Sequence, residues 1–113
     1  MDVSRGRRCS LCNPRKCRRA YLYVVENEQS GLVKIGRSVN VAGRISTYRA
    51  NGNRHFTLRH KRVAGCEWTS MDRETRALRI LGSAAERVFG DWHRATLEQA
   101  VGAVEAACRG IKA

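Results

Sequence analysis

The feature that most constrains the fold is a pair of apolar runs at residues 21–25 and 31–37. Both runs are rich in aromatic and β-branched side chains, and a polar loop ending at Gly31 joins them. Two such runs separated by a short loop that contains glycine are typical of a β-hairpin. The second run has Gly36 near its end, and Asn40 then opens a helical pattern. The sequence therefore predicts a hairpin that passes almost directly into a helix.

The segment after the hairpin predicts a short helix and a third strand. The apolar face of the helix, at positions i, i+4 and i+7, comprises Val41, Ile45 and Tyr48. Asn40 is suited to cap this helix, and the Asn-Gly-Asn sequence at 51–53 ends it. Residues 56–63 alternate in part between apolar and polar side chains and are bounded by Gly65, which indicates a strand.

Two more helices follow. The first is predicted from about Met71 to Leu81, with Thr69 or Ser70 as its cap. The second opens at a capping box formed by Thr96 and Gln99. Its apolar stripe consists of Leu97, Ala100, Val101, Val104 and Cys108. These elements predict an α/β (α+β) fold, a small sandwich with a central three-stranded, mainly antiparallel sheet flanked by helices.

The charge of the chain indicates a polyanionic partner. A chain of 113 residues suits one domain, and a net charge of +12 is large for that length. Residues 1–20 hold seven basic side chains and one acidic side chain, a net charge of +6. Basic arms of this kind follow phosphates, so nucleic acid is the expected partner. We divide the chain into a basic, cysteine-containing arm, residues 1–19, and a folded domain, residues 20–113.

Membrane and export signals are missing from the sequence pattern. No apolar run approaches the about 20 residues that a membrane span needs. The basic N-terminus lacks the apolar stretch of a secretory signal. We therefore expect a cytoplasmic protein of a bacterial or phage-infected cell, with DNA as its partner and with neither a membrane nor a small-molecule substrate. The sequence leaves the oligomeric state open.

The arm carries a candidate zinc site. Its cysteines have a Cys-x2-Cys-x4-Cys spacing and are Cys9, Cys12 and Cys17. Two thiolates from one tight turn can both reach a tetrahedral ion, and the unexported, reducing setting argues against disulfides. Cys66 is the candidate fourth ligand and His60 the weaker one, whereas Cys108 falls on an apolar helical face as a core residue. The alternative is a disordered tail that happens to contain cysteines.

The order of hairpin, glycine and helix resembles the GIY-YIG nuclease superfamily. The resemblance is closest to the phage-type branch, in which the second motif reads Val-Lys-Ile-Gly. Tyr23 precedes Lys34 by eleven positions, and Arg44 follows Gly36 by eight, as the spacing of that family requires. The segment at 90–93, Gly-Asp-Trp-His, is the counterpart of a later family motif. The resemblance covers roughly residues 20–93 and implies phosphodiester hydrolysis with Mg²⁺ or Mn²⁺.

The resemblance also implies a role for each site residue. Tyr23 would be the general base, with its pKa lowered by the charge of Lys34. Arg44 would grip the non-bridging phosphate oxygens. Glu74 would bind the divalent ion. The pattern independently turns Glu74 toward the core, because it shares a helical face with two leucines at i+4 and i+7. A carboxylate there is costly unless it is paired or bound to a metal, so an ion pair with Arg44 or Arg76 is the structural alternative.

Further residues are expected to contact DNA or the site. Tyr48 is expected beside the reacting phosphate or water. Tyr21 stands where the family has a glycine, and strand alternation places it on the same face as Tyr23, so it is an alternative active phenol. The second tyrosine of the motif pair is Lys34 here. The expected nucleic-acid contacts are Tyr21, Arg37, Arg49, Arg15, Lys16, Arg18 and Arg19.

Three functions remain open at this point. The first is a metal-dependent DNA endonuclease with a GIY-YIG-type active site. The second is a non-catalytic DNA-binding module of a phage or mobile-element protein with the same fold. The third is an RNA-binding protein with a zinc arm, which ranks last because few aromatic residues beyond Tyr21, Tyr23 and Tyr48 support base stacking.

Overall fold

The computed structural model describes residues 18–111. Within them lie five strands and three helices. In chain order these are β1 Arg19–Asn27, β2 Val33–Ser38, α1 Val41–Ala50, β3 Phe56–Cys66, α2 Glu67–Ala84, β4 Glu86–Phe89, β5 Trp92–Arg94 and α3 Leu97–Ala107. The predicted α+β class is confirmed. In this part of the chain, no helix has both the length and the apolar character needed to cross a bilayer.

The strands form one antiparallel sheet in the order β3-β1-β2-β5-β4. The predicted hairpin is β1–β2, with Tyr23 opposite Gly36. The prediction of three strands is wrong, because β4 and β5 add a second hairpin across a turn at Gly90. These strands are only four and three residues long, and β4 is exposed along its whole length. A strand this short, with no buried face, has no alternating pattern to reveal it.

The sheet buries a different set of side chains on each face. One face packs against α2 and α3 through Leu22, Val24, Val33 and Ile35. The other face packs against α1 through Tyr23, Val25, Trp92 and the half-buried Tyr21 and Phe56. Val41, Ile45 and Tyr48 are the residues of α1 in the same cluster. Period-two alternation along β1 produces this division, and Tyr21 and Tyr23 share a face as predicted. Cys108 is buried in the first cluster, which confirms its assignment to the core.

The helix caps explain where α1 and α3 begin. The side chain of Asn40 accepts a hydrogen bond from the Gly43 amide at 3.0 Å. The capping box of Thr96 and Gln99 is present as predicted. In contrast, α2 begins at Glu67, four residues before the expected start, because β3 runs into it without a loop. Thr69 accepts from the Cys66 amide at 2.9 Å inside the first turn and is therefore not the cap residue.

The last two residues assigned to the arm belong to the folded unit. Arg19 begins β1 and is the register partner of Cys66 in β3. Arg18 makes an ion pair with Glu67 at 3.0 Å, and its carbonyl accepts from the Glu67 amide at 3.1 Å. The other arm residues with predicted roles lie outside the described part of the chain: Cys9, Cys12, Arg15, Lys16 and Cys17.

Candidate active site

Tyr23 is held in place by the glycine opposite it in the hairpin. Its side chain is 1% exposed. A β-carbon added to Gly36 would lie 2.5 Å from both Cζ and Oη of Tyr23. The ring therefore lies across the glycine, and only a residue without a side chain leaves room for it. Gly36 thus sets the position of the Tyr23 phenol.

The hydroxyl of Tyr23 meets a second phenol from α1. The Oη atoms of Tyr23 and Tyr48 are 3.0 Å apart and share a hydrogen bond. Lys34, from β2, donates from Nζ to the Tyr48 Oη at 3.4 Å. The same ammonium lies 5.4 Å from the Tyr48 ring and 6.0 Å from the Trp92 ring, so two aromatic faces also stabilise its charge. The result is a phenol pair with a cation at one end.

The two phenols differ in acidity. Burial raises the pKa of Tyr23 well above its usual range, and the hydrogen bond with Tyr48 raises it further. Burial also raises the pKa of Tyr48, but the hydrogen bond with Tyr23 and the charge of Lys34 outweigh it, so that this pKa lies below its ordinary value. The prediction that Lys34 lowers the pKa of Tyr23 is therefore wrong. Lys34 reaches Tyr48 instead, and Tyr48 is the phenol that ionises first.

A polar cavity opens beside this pair, where β2 runs into α1. Its volume is about 360 Å³, and its lining consists of Arg37, Ser38, Val39, Arg44, Glu67 and Glu74. These residues come from the end of β2, the turn after it, α1 and α2. Arg44 links the cavity to the phenol pair, because its hydrogen bond helps to lower the pKa of Tyr48 and its charge opposes the rise in the pKa of Tyr23. The fold thus brings Arg44 and Glu74 from separate helices to one cavity, while their catalytic roles stay predictions.

Glu74 points into this cavity from a partly buried position. Its carboxylate Oε1 lies 3.4 Å from the Nε of Arg37, and its side chain is 25% exposed. Burial raises the pKa of Glu74, while the charge of Arg37 acts in the opposite direction. The expected structural partners were wrong: the pair forms with Arg37, and Arg76 instead lies 4.0 Å from Asp72 one turn away.

The donors around Glu74 fit a hard divalent ion held mainly by water and phosphate. Within residues 18–111 no three His, Cys, Asp or Glu side chains are grouped so that they could hold a metal together. Mg²⁺ in phosphate-processing sites needs only one or two carboxylates, because substrate oxygens and waters complete its coordination. Glu74 is a carboxylate that burial makes costly to ionise, and it faces a cavity large enough for waters and a phosphate. Such a group gains from a cation beside it.

The candidate zinc ligands in the folded part lie on β3. Cys66 is at its end, opposite Arg19, which follows Cys17 by two positions in the sequence. His60 is engaged elsewhere, since its Nε2 lies 2.7 Å from Oε2 of Glu105. Of the two ligands proposed from this strand, Cys66 is therefore the one paired with Arg19 in the sheet.

Tyr21 and Arg49, two further predicted DNA contacts, interact with residues of β3. Tyr21 packs under Lys61, whose Nζ lies 4.9 Å from the ring centroid. Arg49 donates from Nη2 to the Phe56 carbonyl at 3.0 Å, which ties the end of α1 to β3.

Sequence reasoning missed the cavity residues Ser38, Val39 and Glu67. The turn after Gly36 was the available signal for the first two, whereas no local pattern indicates Glu67.

Comparison with protein-family models, curated proteins and solved structures finds no match to this chain. Its function is therefore inferred from the chemistry of the cavity and of the phenol pair.

Proposed function

We propose that this protein is a metal-dependent DNA endonuclease that hydrolyses phosphodiester bonds at the cavity between α1 and α2. The observation that carries the proposal is the convergence there of Arg44 and Glu74 beside a phenol pair in which Tyr48 has a lowered pKa. The GIY-YIG-like spacing of the hairpin and the net charge of +12 support the same function.

The arginines position the substrate. Arg44 and Arg37 both line the cavity, and a guanidinium offers paired N–H donors that match phosphate oxygens. Arg37 pairs with Glu74, which keeps its charge at the cavity wall. Arg44 has the closer link to the phenols, so we assign it the non-bridging oxygens that gain charge in the transition state.

The phenol pair moves the proton. We assign the general base to Tyr48 and replace the earlier assignment to Tyr23, because only the pKa of Tyr48 is lowered. As the oxygen of a water bonds to phosphorus, the phenolate of Tyr48 takes one of its protons. The bond from phosphorus to the leaving oxygen breaks, and that oxygen takes a proton from solvent. Tyr23 and Lys34 donate to the phenolate before the transfer and hold it in place.

Glu74 would hold the divalent ion. When bound, Mg²⁺ or Mn²⁺ supplies Lewis-acid stabilisation of the charge that develops on the reacting oxygens. Arg37, whose Nε lies 3.4 Å from the Glu74 carboxylate, would share that carboxylate with the ion and offer its remaining N–H groups to the phosphate.

The test is cleavage of supercoiled plasmid by the purified full chain with Mg²⁺, beside EDTA and an Arg44→Ala/Glu74→Ala double variant. A matched control is Arg79→Ala/Glu98→Ala, which removes the same charges at two exposed helical positions outside the cavity. Nicking that requires Mg²⁺, survives in the control and is lost in the cavity variant supports the proposal. Absence of cleavage by wild type contradicts it.

A second candidate function is a DNA-binding module without catalysis. The observation in its favour is the ion pair between Arg37 and Glu74, which accounts for the partly buried carboxylate without any metal. In this case the plasmid would be shifted on a gel equally by wild type and the cavity variant, with no nicking by either.

A further inference from the structure

A second, smaller cavity adjoins the candidate active site. Its volume is about 170 Å³, and its lining consists of Arg37, Glu67, Trp68 and Met71. Arg37 and Glu67 also line the larger cavity, so the two spaces share a wall. The smaller cavity differs in character because an indole and a thioether supply its floor. We call it the side slot.

The two apolar residues of the side slot are strongly exposed. Trp68 is 48% exposed and Met71 is 44% exposed, whereas the protein's other tryptophan, Trp92, is 8% exposed in the core. Trp68 and Met71 are three positions apart in the first turns of α2, so they lie on one helical face. A large aromatic side chain left in water beside a polar cavity is typical of a surface that binds a ligand.

We propose that the side slot stacks one unpaired nucleobase next to the phosphate that is cut. An indole face stacks on any base, and a thioether adapts to the edges of planar rings. The net charge of +12 favours an occupant with negative charge, and Arg37 at the shared wall offers its guanidinium to it, while the acidic Glu67 of the same lining is paired with Arg18. A nucleotide has both a planar base and a negative charge: its phosphate would lie in the large cavity and its base in the side slot.

The proposal rests on the proposed function and names its substrate class. In a continuous duplex each base is stacked on its neighbours, and bringing one into the slot requires unstacking. DNA with an unpaired nucleotide at the cut site, such as a flap, a gap or a single strand, avoids that cost. The enzyme would therefore prefer DNA with an unpaired nucleotide over continuous duplex.

Tryptophan fluorescence tests the slot without any cleavage. The full chain in EDTA is titrated with a short oligothymidine and with an abasic oligonucleotide of the same length, which has the same phosphates but no bases. Because Trp92 is buried, the signal that responds should be that of Trp68. We expect quenching by oligothymidine, little quenching by the abasic strand, and no quenching in Trp68→Phe, which keeps an aromatic ring but removes the reporter. Equal quenching by both strands, or none by either, would overturn the proposal.

Cleavage of defined substrates tests the consequence. A labelled flap and a continuous duplex of the same sequence are cut by wild type, Trp68→Ala, Trp68→Phe and Ile80→Ala. Ile80 is a partly exposed apolar residue on the same helix, three turns beyond Trp68 and outside the slot. Wild type, Trp68→Phe and Ile80→Ala should prefer the flap, whereas Trp68→Ala should lose roughly tenfold on the flap and little on the duplex.

The outcomes separate this proposal from the proposed function. If wild type cuts both substrates and Trp68→Ala cuts them in the same ratio, the slot is refuted while the nuclease stands. If wild type cuts neither, the nuclease fails, and base-dependent quenching of Trp68 still decides the slot.

Discussion

The ring of Tyr23 lies across Gly36, its partner in the β1–β2 register, at a distance that excludes any β-carbon there. This contact explains why a glycine ends the apolar part of β2. It also connects the sheet to the chemistry, since the hydroxyl at the end of that ring holds Tyr48 by a 3.0 Å hydrogen bond.

The first prediction concerns that contact. Gly36→Ala places a methyl group 2.5 Å from the Tyr23 ring, so the ring must move and the phenol pair must separate. We expect a loss of about 1–3 kcal/mol in the free energy of unfolding, as for an overpacked core, and at least tenfold lower cleavage by the molecules that remain folded. Gly82→Ala on α2 is the control, since nothing lies within 4 Å of the added carbon. Urea denaturation and initial cleavage rates measure both effects, and an unchanged rate in Gly36→Ala would contradict the account.

The second prediction separates the two phenols. If Tyr48 is the base, the cleavage rate should rise with pH until its pKa is reached. Tyr23→Phe removes a hydrogen-bond donor to the phenolate, which raises the pKa of Tyr48 and moves the rising part of the profile to higher pH. Tyr48→Phe should lower the rate by about 100-fold or more at every pH and remove that part of the profile.

Rates from pH 6 to 10 for the two single variants provide the measurement. The opposite result would show that Tyr23 is the base. In that case Tyr23→Phe would lower the rate at every pH and lose the rising part of the profile, and Tyr48→Phe would only move it.

The third prediction is a gain in stability at the expense of activity. The pKa of Glu74 is raised in the folded state, mainly by burial, so the folded protein binds the proton more tightly than the unfolded chain. The free energy of unfolding therefore falls as the pH rises from the pKa of Glu74 in the unfolded chain through its higher pKa in the folded protein. Above both values the ionised carboxylate destabilises the fold most. Glu74→Gln removes this effect. At pH 7 we expect a Tm between unchanged and about 3 °C higher, with cleavage lost.

Thermal unfolding at pH 7 and pH 4 tests this sign, because the advantage of the variant should shrink at the lower pH. A variant that is clearly less stable than wild type at pH 7 would show instead that the pair with Arg37 is the dominant contribution of Glu74.

The fourth prediction is structural and independent of DNA. Arg62 from β3 donates to the Glu105 carboxylate at 3.0 Å and to the carbonyls of Ile111 at 2.6 Å and Cys108 at 3.1 Å. It therefore holds the end of α3 against the sheet. Arg62→Ala leaves these acceptors without that donor and should cost about 1–3 kcal/mol. Urea denaturation beside the exposed control Arg79→Ala measures it, and equal stability of the two variants would refute the role.

The sequence predicted the parts of the fold that local patterns encode. The hairpin, the Asn40 cap and the inward turn of Glu74 all depend on spacing within one or two turns of chain. The β4–β5 hairpin was missed because its strands are too short for alternation to be visible. The start of α2 was missed because β3 enters it with no intervening loop.

The chemistry of the site was harder to predict because it depends on tertiary contacts. The family resemblance of the hairpin and helix predicted Tyr23, Lys34, Arg44 and Glu74 as one site. It could not assign Lys34 to Tyr48, since the two phenols belong to one cluster between the sheet and α1, and only the fold decides which one the ammonium reaches. For the same reason Arg37 as the partner of Glu74 and Glu67 as a cavity residue came only from the structure.

The most direct test of the central claim is to measure DNA affinity and cleavage in the same Glu74→Ala variant. Affinity is measured in EDTA and cleavage with Mg²⁺, each beside wild type. The account predicts that wild type cuts in a Mg²⁺-dependent manner and that Glu74→Ala binds DNA as tightly as wild type but does not cut it. Cleavage by Glu74→Ala at the wild-type rate would show that this carboxylate and its cavity are not the site of hydrolysis.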